Sequence, residues 1–376
     1  MMRVLHFFKS YYPETVGGVE QVIRQIAIGT KEHGIENEVL TLSPSGQNNT
    51  ISFDGHRVHR VPQSFEIAST GFSAAAISRL ASLTKEFDLV HYHFPWPFMD
   101  VAHFLARTGK PSVVTYHSDI VRQKNLLLLY RPLMRRFLSS IDRIVATSPN
   151  YLASSPELNR YRDKTTVIPI GLEQRSYPVP STATLERWRT QLGDRFFLFV
   201  GVLRYYKGLH TLLDAAQGTG YPVVIAGSGP VEHELKTQAQ RLGLNQIHFL
   251  GAVSEEDKAA LLQLCYGIVF PSHLRSEAFG ISLLEGAMSG KPMISCEIGT
   301  GTSYINQHGE TGFVVPPENP SAFRQAMQTL WNEPDLAASM GSHAQARYRQ
   351  WFTATQMAQS YARLYQSLPP KSRNTM

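Results

Sequence analysis

Glu277 and Glu285 stand eight positions apart in Pro271-Ser-His-Leu-Arg-Ser-Glu-Ala-Phe-Gly-Ile-Ser-Leu-Leu-Glu-Gly-Ala-Met-Ser-Gly-Lys-Pro292. Ile268, Val269 and Phe270 ahead of them read as the end of a buried strand, while Ile281, Leu284 and Met288 have helical spacing. Gly290 and Pro292 stop that helix. Glu277 is therefore expected in the loop before the helix and Glu285 inside it. A helix that starts at the carboxyl end of a parallel strand aims its first N–H groups at a phosphate. Carboxylates beside that phosphate repel it unless they grip hydroxyl groups. The combination suggests a sugar nucleotide, with phosphate on the amides and sugar and ribose hydroxyls on the acids. Spacing alone also fits a solvated loop acid followed by an exposed helix acid.

Cations and glycines supply the complementary chemistry. Phe199-Val-Gly201-Val-Leu-Arg204-Tyr-Tyr-Lys207-Gly208 runs from a strand through a glycine turn to two cations. Fixed positive charge there suits a departing diphosphate, with Arg204 offering a bidentate fork and Lys207 a point charge. Solvated loop cations are the plain alternative. Lys9-Ser-Tyr-Tyr-Pro-Glu-Thr-Val-Gly17-Gly18-Val-Glu20 places adjacent glycines before a helix, where backbone amides can approach a ligand. It is not the G-x-G-x-x-G dinucleotide pattern. Thr115-Tyr-His117-Ser-Asp119 sets a histidine at a strand's carboxyl end, where open α/β sheets bind ligands. His91 and His93 are spaced as a metal pair at i, i+2 without an accompanying acid or thiol. Their other reading is a strand end lining the acceptor side of a cleft.

These residues need strands that end together. Apolar runs alternate with helical stretches: Val4–Phe8, Glu38–Leu42, Leu89–His93, Ser112–Tyr116, Ile144–Thr147 and Thr166–Ile168, with the first helix at Gly18–Gly29. The pattern restarts at Phe196–Val200, Val223–Ala226, Ile247–Leu250, Gly267–Phe270, Pro292–Ser295 and Phe313–Val315. This predicts α/β architecture: two doubly wound parallel-sheet, Rossmann-like domains. Expected boundaries are 1–172 for the first domain, 173–190 for a Pro- and Gly-rich linker and 191–352 for the second domain. A helical tail over 353–368 and a disordered end over 369–376 complete the division.

The 376 residues suffice for two cores, and a mean hydropathy of −0.19 is that of a water-soluble chain. No run of 18 apolar residues suggests a membrane span, and the first residues read as a buried strand rather than a signal peptide. Cys265 and Cys296 suit buried free thiols and a reducing, cytoplasmic setting. Residues 1–172 carry 19 Lys and Arg against 14 Asp and Glu, while the remainder carries 17 against 16. The basic first half suggests an anionic partner such as a membrane surface or a lipid diphosphate. Nucleic acid is disfavoured, because no dense basic block with interleaved aromatics occurs. Residues 122–138 join five cations to Leu126–Leu129. They fit docking on an anionic leaflet or core packing with solvated arginines equally well.

Pro-Ser, Ser-Glu-Ala-Phe-Gly, Leu-Leu-Glu-Gly-Ala and Ser-Gly-Lys-Pro around the two acids resemble the E-x7-E motif of glycosyltransferase family 4. Ala226-Gly-Ser-Gly-Pro230 and Tyr11-Tyr-Pro…Gly-Gly-Val-Glu20 resemble further segments of that family. The resemblance implies a GT-B fold of two domains facing across a cleft, with the tail helix returning to the first. It also implies a retaining, metal-independent glycosyltransferase that uses a nucleotide diphosphate sugar as co-substrate and no cofactor. By resemblance, Glu277 contacts the transferred sugar, His117 the sugar or the acceptor, Lys207 and Arg204 the diphosphate, and Glu285 the ribose. Gly17, Gly18, Ala278, Phe279 and Gly280 belong to donor binding. The family's arginine usually stands at the place of Val202, and Arg204, two positions on, returns to the same face of an extended chain. Gly299-Thr-Gly-Thr302-Ser303 adds possible amides and hydroxyls for the diphosphate, and Glu20 reads as structural. The Arg-Ser-Glu-Ala-Phe-Gly and Gly-Thr-Gly-Thr-Ser-Tyr-Ile-Asn strings look like those of bacterial mannosyl- or rhamnosyltransferases of O-antigen or exopolysaccharide synthesis. GDP-mannose or GDP-rhamnose is then the leading donor, and a lipid-linked saccharide at the inner membrane face the acceptor. A UDP-sugar donor and a sugar-nucleotide 2-epimerase of the same fold remain the alternatives.

Overall fold

A computed structural model describes residues 1–67, 70–120 and 124–369, leaving out the side chains of 124 and 125. Residues 370–376 of the end expected to be disordered from 369, and Arg122 of the basic segment, lie outside the described residues. The chain forms two compact units, Met1–Gly171 joined by the segment from Ala354, and Leu172–Thr353.

Among the described residues, unit one is built on an eight-stranded sheet. Its strands are β1 (Met2–Phe8), β2 (Ile35–Ser43), β3 (Asn49–Phe53), β4 (His56–Pro62), β7 (Leu89–Phe94), β8 (Ser112–Tyr116), β9 (Arg143–Ala146) and β10 (Thr165–Val167). A separate antiparallel pair is formed by β5 (Phe65–Ile67) and β6 (Thr70–Phe72). The order is β10-β9-β8-β7-β1-β2-β4-β3, parallel except for β3. The chain leaves β1 toward β2 on one side and returns as β7 on the other, so the switch point lies between β1 and β7. β7 and β8 are buried along their whole length, as strands covered on both faces must be.

Unit two holds β11 (Phe197–Val200), β12 (Val223–Ala226), β13 (Ile247–Gly251), β14 (Gly267–Phe270), β15 (Met293–Cys296) and β16 (Gly312–Val315). Their order, β13-β12-β11-β14-β15-β16, is wholly parallel with its switch point between β11 and β14. The loops after these two strands carry Arg204, Lys207 and Glu277.

Two expectations need correction. The hairpin β3–β4 is absent from the expected strands, although Asp54-Gly55 between alternating segments is a two-residue hairpin signal. Asp54 and Gly55 take φ of 45° and 76°, the left-handed pair such a turn requires. The linker expected over 173–190 also ends early. Ser181 accepts a hydrogen bond from the Thr184 N–H and caps a helix, Thr182–Leu192. That helix joins unit two: the Trp188 indole donates to Asp257 at 2.9 Å, and Thr184 donates to Glu256 at 2.9 Å. Pro178 and Pro180 mark a turn into a packed helix rather than a tether.

Helix Ala354–Gln366 belongs to unit one, where it packs beside helix Gly18–Gly29. A Cβ on Gly29 would stand 2.6 Å from the Ala358 Cβ, so the two helices approach closely at that point. Cys265 and Cys296 are buried free thiols. Among the described residues, no helix is long and apolar enough to cross a membrane.

Candidate functional site

In unit two, the chain leaves β11 through Gly201 with φ of 148°. Leu203 is buried between exposed Val202 and Arg204, so Arg204 occupies the side that Val202 does. Lys207 then closes a single 3-10 turn, Tyr205–Lys207. Its ammonium forms an ion pair with the Glu277 carboxylate, to which the Ser272 hydroxyl also donates at 3.4 Å. Both charged side chains are nearly buried. The Glu277 loop is pinned on two sides. His273 N–H donates to Tyr206 O at 3.1 Å, and Gly301 N–H donates to Ala278 O at 2.9 Å. The Arg275 guanidinium donates to Gly299 O at 3.0 Å. Ala278, Phe279 and Gly280 lead into helix Ile281–Met288, and Gly280 has φ of 96°.

Glu285 lies on that helix with its carboxylate almost fully buried. Lys258 approaches it at 3.1 Å, and Tyr177 donates its hydroxyl at 2.9 Å. Burial alone would lower the Lys258 ammonium, but Glu285 and Glu255 outweigh it and hold the group above the usual lysine range. Neither partner is visible to sequence reasoning. Tyr177 lies in the segment that reads as linker, and Lys258 sits in an acid-rich helix with no local mark of its role.

In unit one, Gly17 is extended and Gly18 begins helix Gly18–Gly29. Ser10 donates to the Glu20 carboxylate at 2.7 Å, and a Cβ on Gly17 would meet that carboxylate at 2.6 Å. A side chain at 17 would therefore displace the Glu20 carboxylate from this position. His117 follows β8 and is buried, its backbone N–H donating to Phe94 O at 2.9 Å. Its Nε2 meets His93 Nδ1 at 3.0 Å; His93 Nε2 meets His6 Nδ1 at 3.0 Å; His6 Nε2 meets Asn37 Oδ1 at 3.0 Å. Burial pushes His6 down to about 4 and His117 down to about 3, and lowers His93 and His91 well below the ordinary range. Asp119 is occupied locally, accepting from Tyr116 and Ser155 at 2.8 Å each.

One reading is overturned and a second is narrowed. His91 and His93 do not line an opening: both are fully buried. His91 Nδ1 meets the Tyr365 hydroxyl at 2.7 Å and its Nε2 meets Thr115 Oγ1 at 2.8 Å. Thr300 and Thr302 are likewise buried, with hydroxyls 3.4 Å apart, and Gly299 N–H donates to Glu297 at 2.8 Å. Those groups serve the loop itself. Ligand atoms of His6, His91 and His93 lie within 4.8 Å of one another, as do those of His210, His273 and Glu318. The first set is already consumed by the hydrogen bonds above. The second, partly exposed on unit two, is the freer candidate for a cation.

Unit two therefore gathers Arg204, Lys207, Glu277, Ala278, Phe279, Gly280 and Glu285 at one switch point, and unit one carries Gly17, Gly18 and His117. Residues 182–347 match the family Glycosyl transferases group 1, and residues 16–174 match Glycosyltransferase Family 4. The chain is 64% identical to D-rhamnosyltransferase WbpZ of Pseudomonas aeruginosa over 94% of its length and 93% of the relative. It is 52% identical to O-antigen chain mannosyltransferase C of Escherichia coli, covering 98% and 99% of the two chains. The solved structure of Anabaena HepE with UDP and glucose shares the fold, with a TM-score of 0.77 at 24% identity over 98% of this chain and 100% of that one. Two Rossmann-like sheets of the GT-B class, a Lys–Glu pair at the second switch point and these relatives agree, and the chain belongs to glycosyltransferase family 4.

Proposed function

We propose that the protein transfers mannose or rhamnose from its GDP sugar to a lipid-linked saccharide during O-antigen synthesis, with retention of anomeric configuration. The observation that carries this reading is the nearly buried Lys207–Glu277 pair at the β11/β14 switch point, in a chain so similar to a rhamnosyltransferase and a mannosyltransferase. Lys207 and Arg204 neutralise the departing diphosphate, aided by the amides at Ala278, Phe279 and Gly280. Glu277, ion-paired with Lys207, holds hydroxyls of the transferred sugar as a hydrogen-bond acceptor. Glu285 binds the ribose. Gly17 and Gly18 bring backbone to the donor, and His117 bonds a hydroxyl of the sugar or acceptor. The leaving diphosphate takes the acceptor's proton on the face from which it departs, so neither a metal nor a side-chain base is required. The protein works on the cytoplasmic face of the inner membrane, reached through residues 122–138.

The test is a panel of GDP-mannose, GDP-rhamnose and UDP-sugars with lipid-linked acceptors, read by nucleotide diphosphate release and by NMR of the product anomer. A GDP-sugar is expected to be the donor, with activity persisting in EDTA. Glu277→Gln and Lys207→Met should each reduce transfer by roughly 100- to 1,000-fold, the cost of losing one preorganised electrostatic contact. Near-normal rates in both folded variants would remove the site assignment. A UDP-sugar as sole donor would replace the GDP reading.

A further inference from the structure

The histidine chain in unit one has a direction, and Asn37 sets it. Asn37 Nδ2 donates to the Ala27 carbonyl at 3.2 Å and to Thr30 Oγ1 at 2.7 Å. Thr30 spends its own proton on Ile26 O at 2.8 Å, so it accepts from Asn37. A carbonyl oxygen only accepts, which fixes the amide with Oδ1 toward His6. Since Oδ1 also only accepts, His6 must carry its proton on Nε2. A neutral His6 then has a bare Nδ1, and His93 must donate to it from Nε2. The same step repeats at His93 Nδ1, so His117 donates from Nε2.

Each ring transmits one choice of proton position to the next, and burial keeps the rings neutral so that the choice is binary. His91 packs beside His6 and His93 with centroids 4.8 and 4.3 Å away, but both its nitrogens face hydroxyls, which accommodate either tautomer. Among the described residues, no hydrogen-bond partner reaches His117 Nδ1. We propose that Asn37, acting through His6 and His93, holds His117 as the neutral Nε2–H tautomer, so that His117 presents Nδ1 to the substrate as a hydrogen-bond acceptor. This rests on the reading of His117 as a substrate contact. It makes Asn37, His6 and His93 positioning residues and restricts the group met by His117 to a donor, such as a sugar hydroxyl.

The test is ¹⁵N-histidine NMR of the full-length protein at pH 7, with His6, His93 and His117 assigned by single substitution. All three should show protonated Nε2 and unprotonated Nδ1. A His117 that carries its proton on Nδ1 overturns the proposal, and the tautomer itself is read on the unsubstituted protein. In Asn37→Leu, His117 should become a mixture of tautomers and transfer should fall by about 10-fold, the worth of one hydrogen bond. An unchanged His117 signal in folded Asn37→Leu also overturns it. His117→Ala separates the two layers. Full transfer in that variant removes His117 as a substrate contact but leaves the tautomer result standing. Lost transfer together with an Nδ1–H His117 keeps the contact and rejects the relay.

Discussion

At Gly208 the backbone sits at φ of 67°, and a Cβ would lie 2.0 Å from the Pro271 carbonyl oxygen. This is where the Lys207 turn touches the Glu277 loop, so the ion pair depends on a missing methyl group. Gly218 has φ of 76° but open space around it. Gly218→Ala should therefore cost only the left-handed penalty, about 1–2 kcal/mol. Gly208→Ala should cost clearly more and should also weaken donor binding, because the two loops must separate. Thermal unfolding and donor titration of both variants check this, and equal losses would contradict it. The two glutamates are legible from sequence because a strand, a turn and a helix place them locally. The anchors of Glu285 are not, since Tyr177 and Lys258 come from 108 and 27 positions away and meet it only through folding. The histidine chain is half legible. His91 and His93 share a face by alternation, but His6 and Asn37 join them through the register of β1 with β7 and β2.

Helix Lys124–Ser140 changes character along its length. Met134, Phe137 and Leu138 are buried, whereas Leu126, Leu128 and Leu129 are 53%, 62% and 82% exposed. Core packing therefore does not account for the first leucines. Arg131 and Arg135 both approach Glu157, at 3.8 and 2.9 Å, so the helix is less basic than its composition implies. Any membrane contact must lean on the apolar residues more than on charge. Leu128→Ser with Leu129→Ser should weaken co-sedimentation with phosphatidylglycerol vesicles by about 10-fold while leaving the melting temperature unchanged. Unaltered vesicle binding would reject docking by this helix. The doubly buried strands Leu89–Phe94 and Ser112–Tyr116 can be placed from sequence because their apolar runs are too short for a helix and rich in β-branched and aromatic residues. β4 escapes such reading because Arg57, His59 and Arg60 interrupt its apolar signal, and β3, the edge strand beside it, is polar and short.

For the molecule as a whole, the buried imidazoles link unit one to pH. Burial pushes folded His6 down to about 4 and His117 down to about 3, against about 6.5 in an unfolded chain. Between those values the unfolded state binds more protons. Stability is therefore fully present above about pH 6.5 and is lost as pH falls toward 4. His6 alone should cost roughly 2 kcal/mol by pH 5. Urea titrations followed by hydrogen exchange should show β1 and β7 peptides losing protection at lower urea at pH 5 than at pH 7. An unchanged midpoint for those peptides would refute the link. One further consequence comes from helix Ala354–Gln366, whose Tyr361 and Tyr365 hydroxyls reach Thr115 and His91. Those tyrosines leave the ribosome only after every residue of Leu172–Thr353 has been made. The unit begun first during translation is thus the one completed last, and until then the nascent chain must wait with polar strand interiors uncovered.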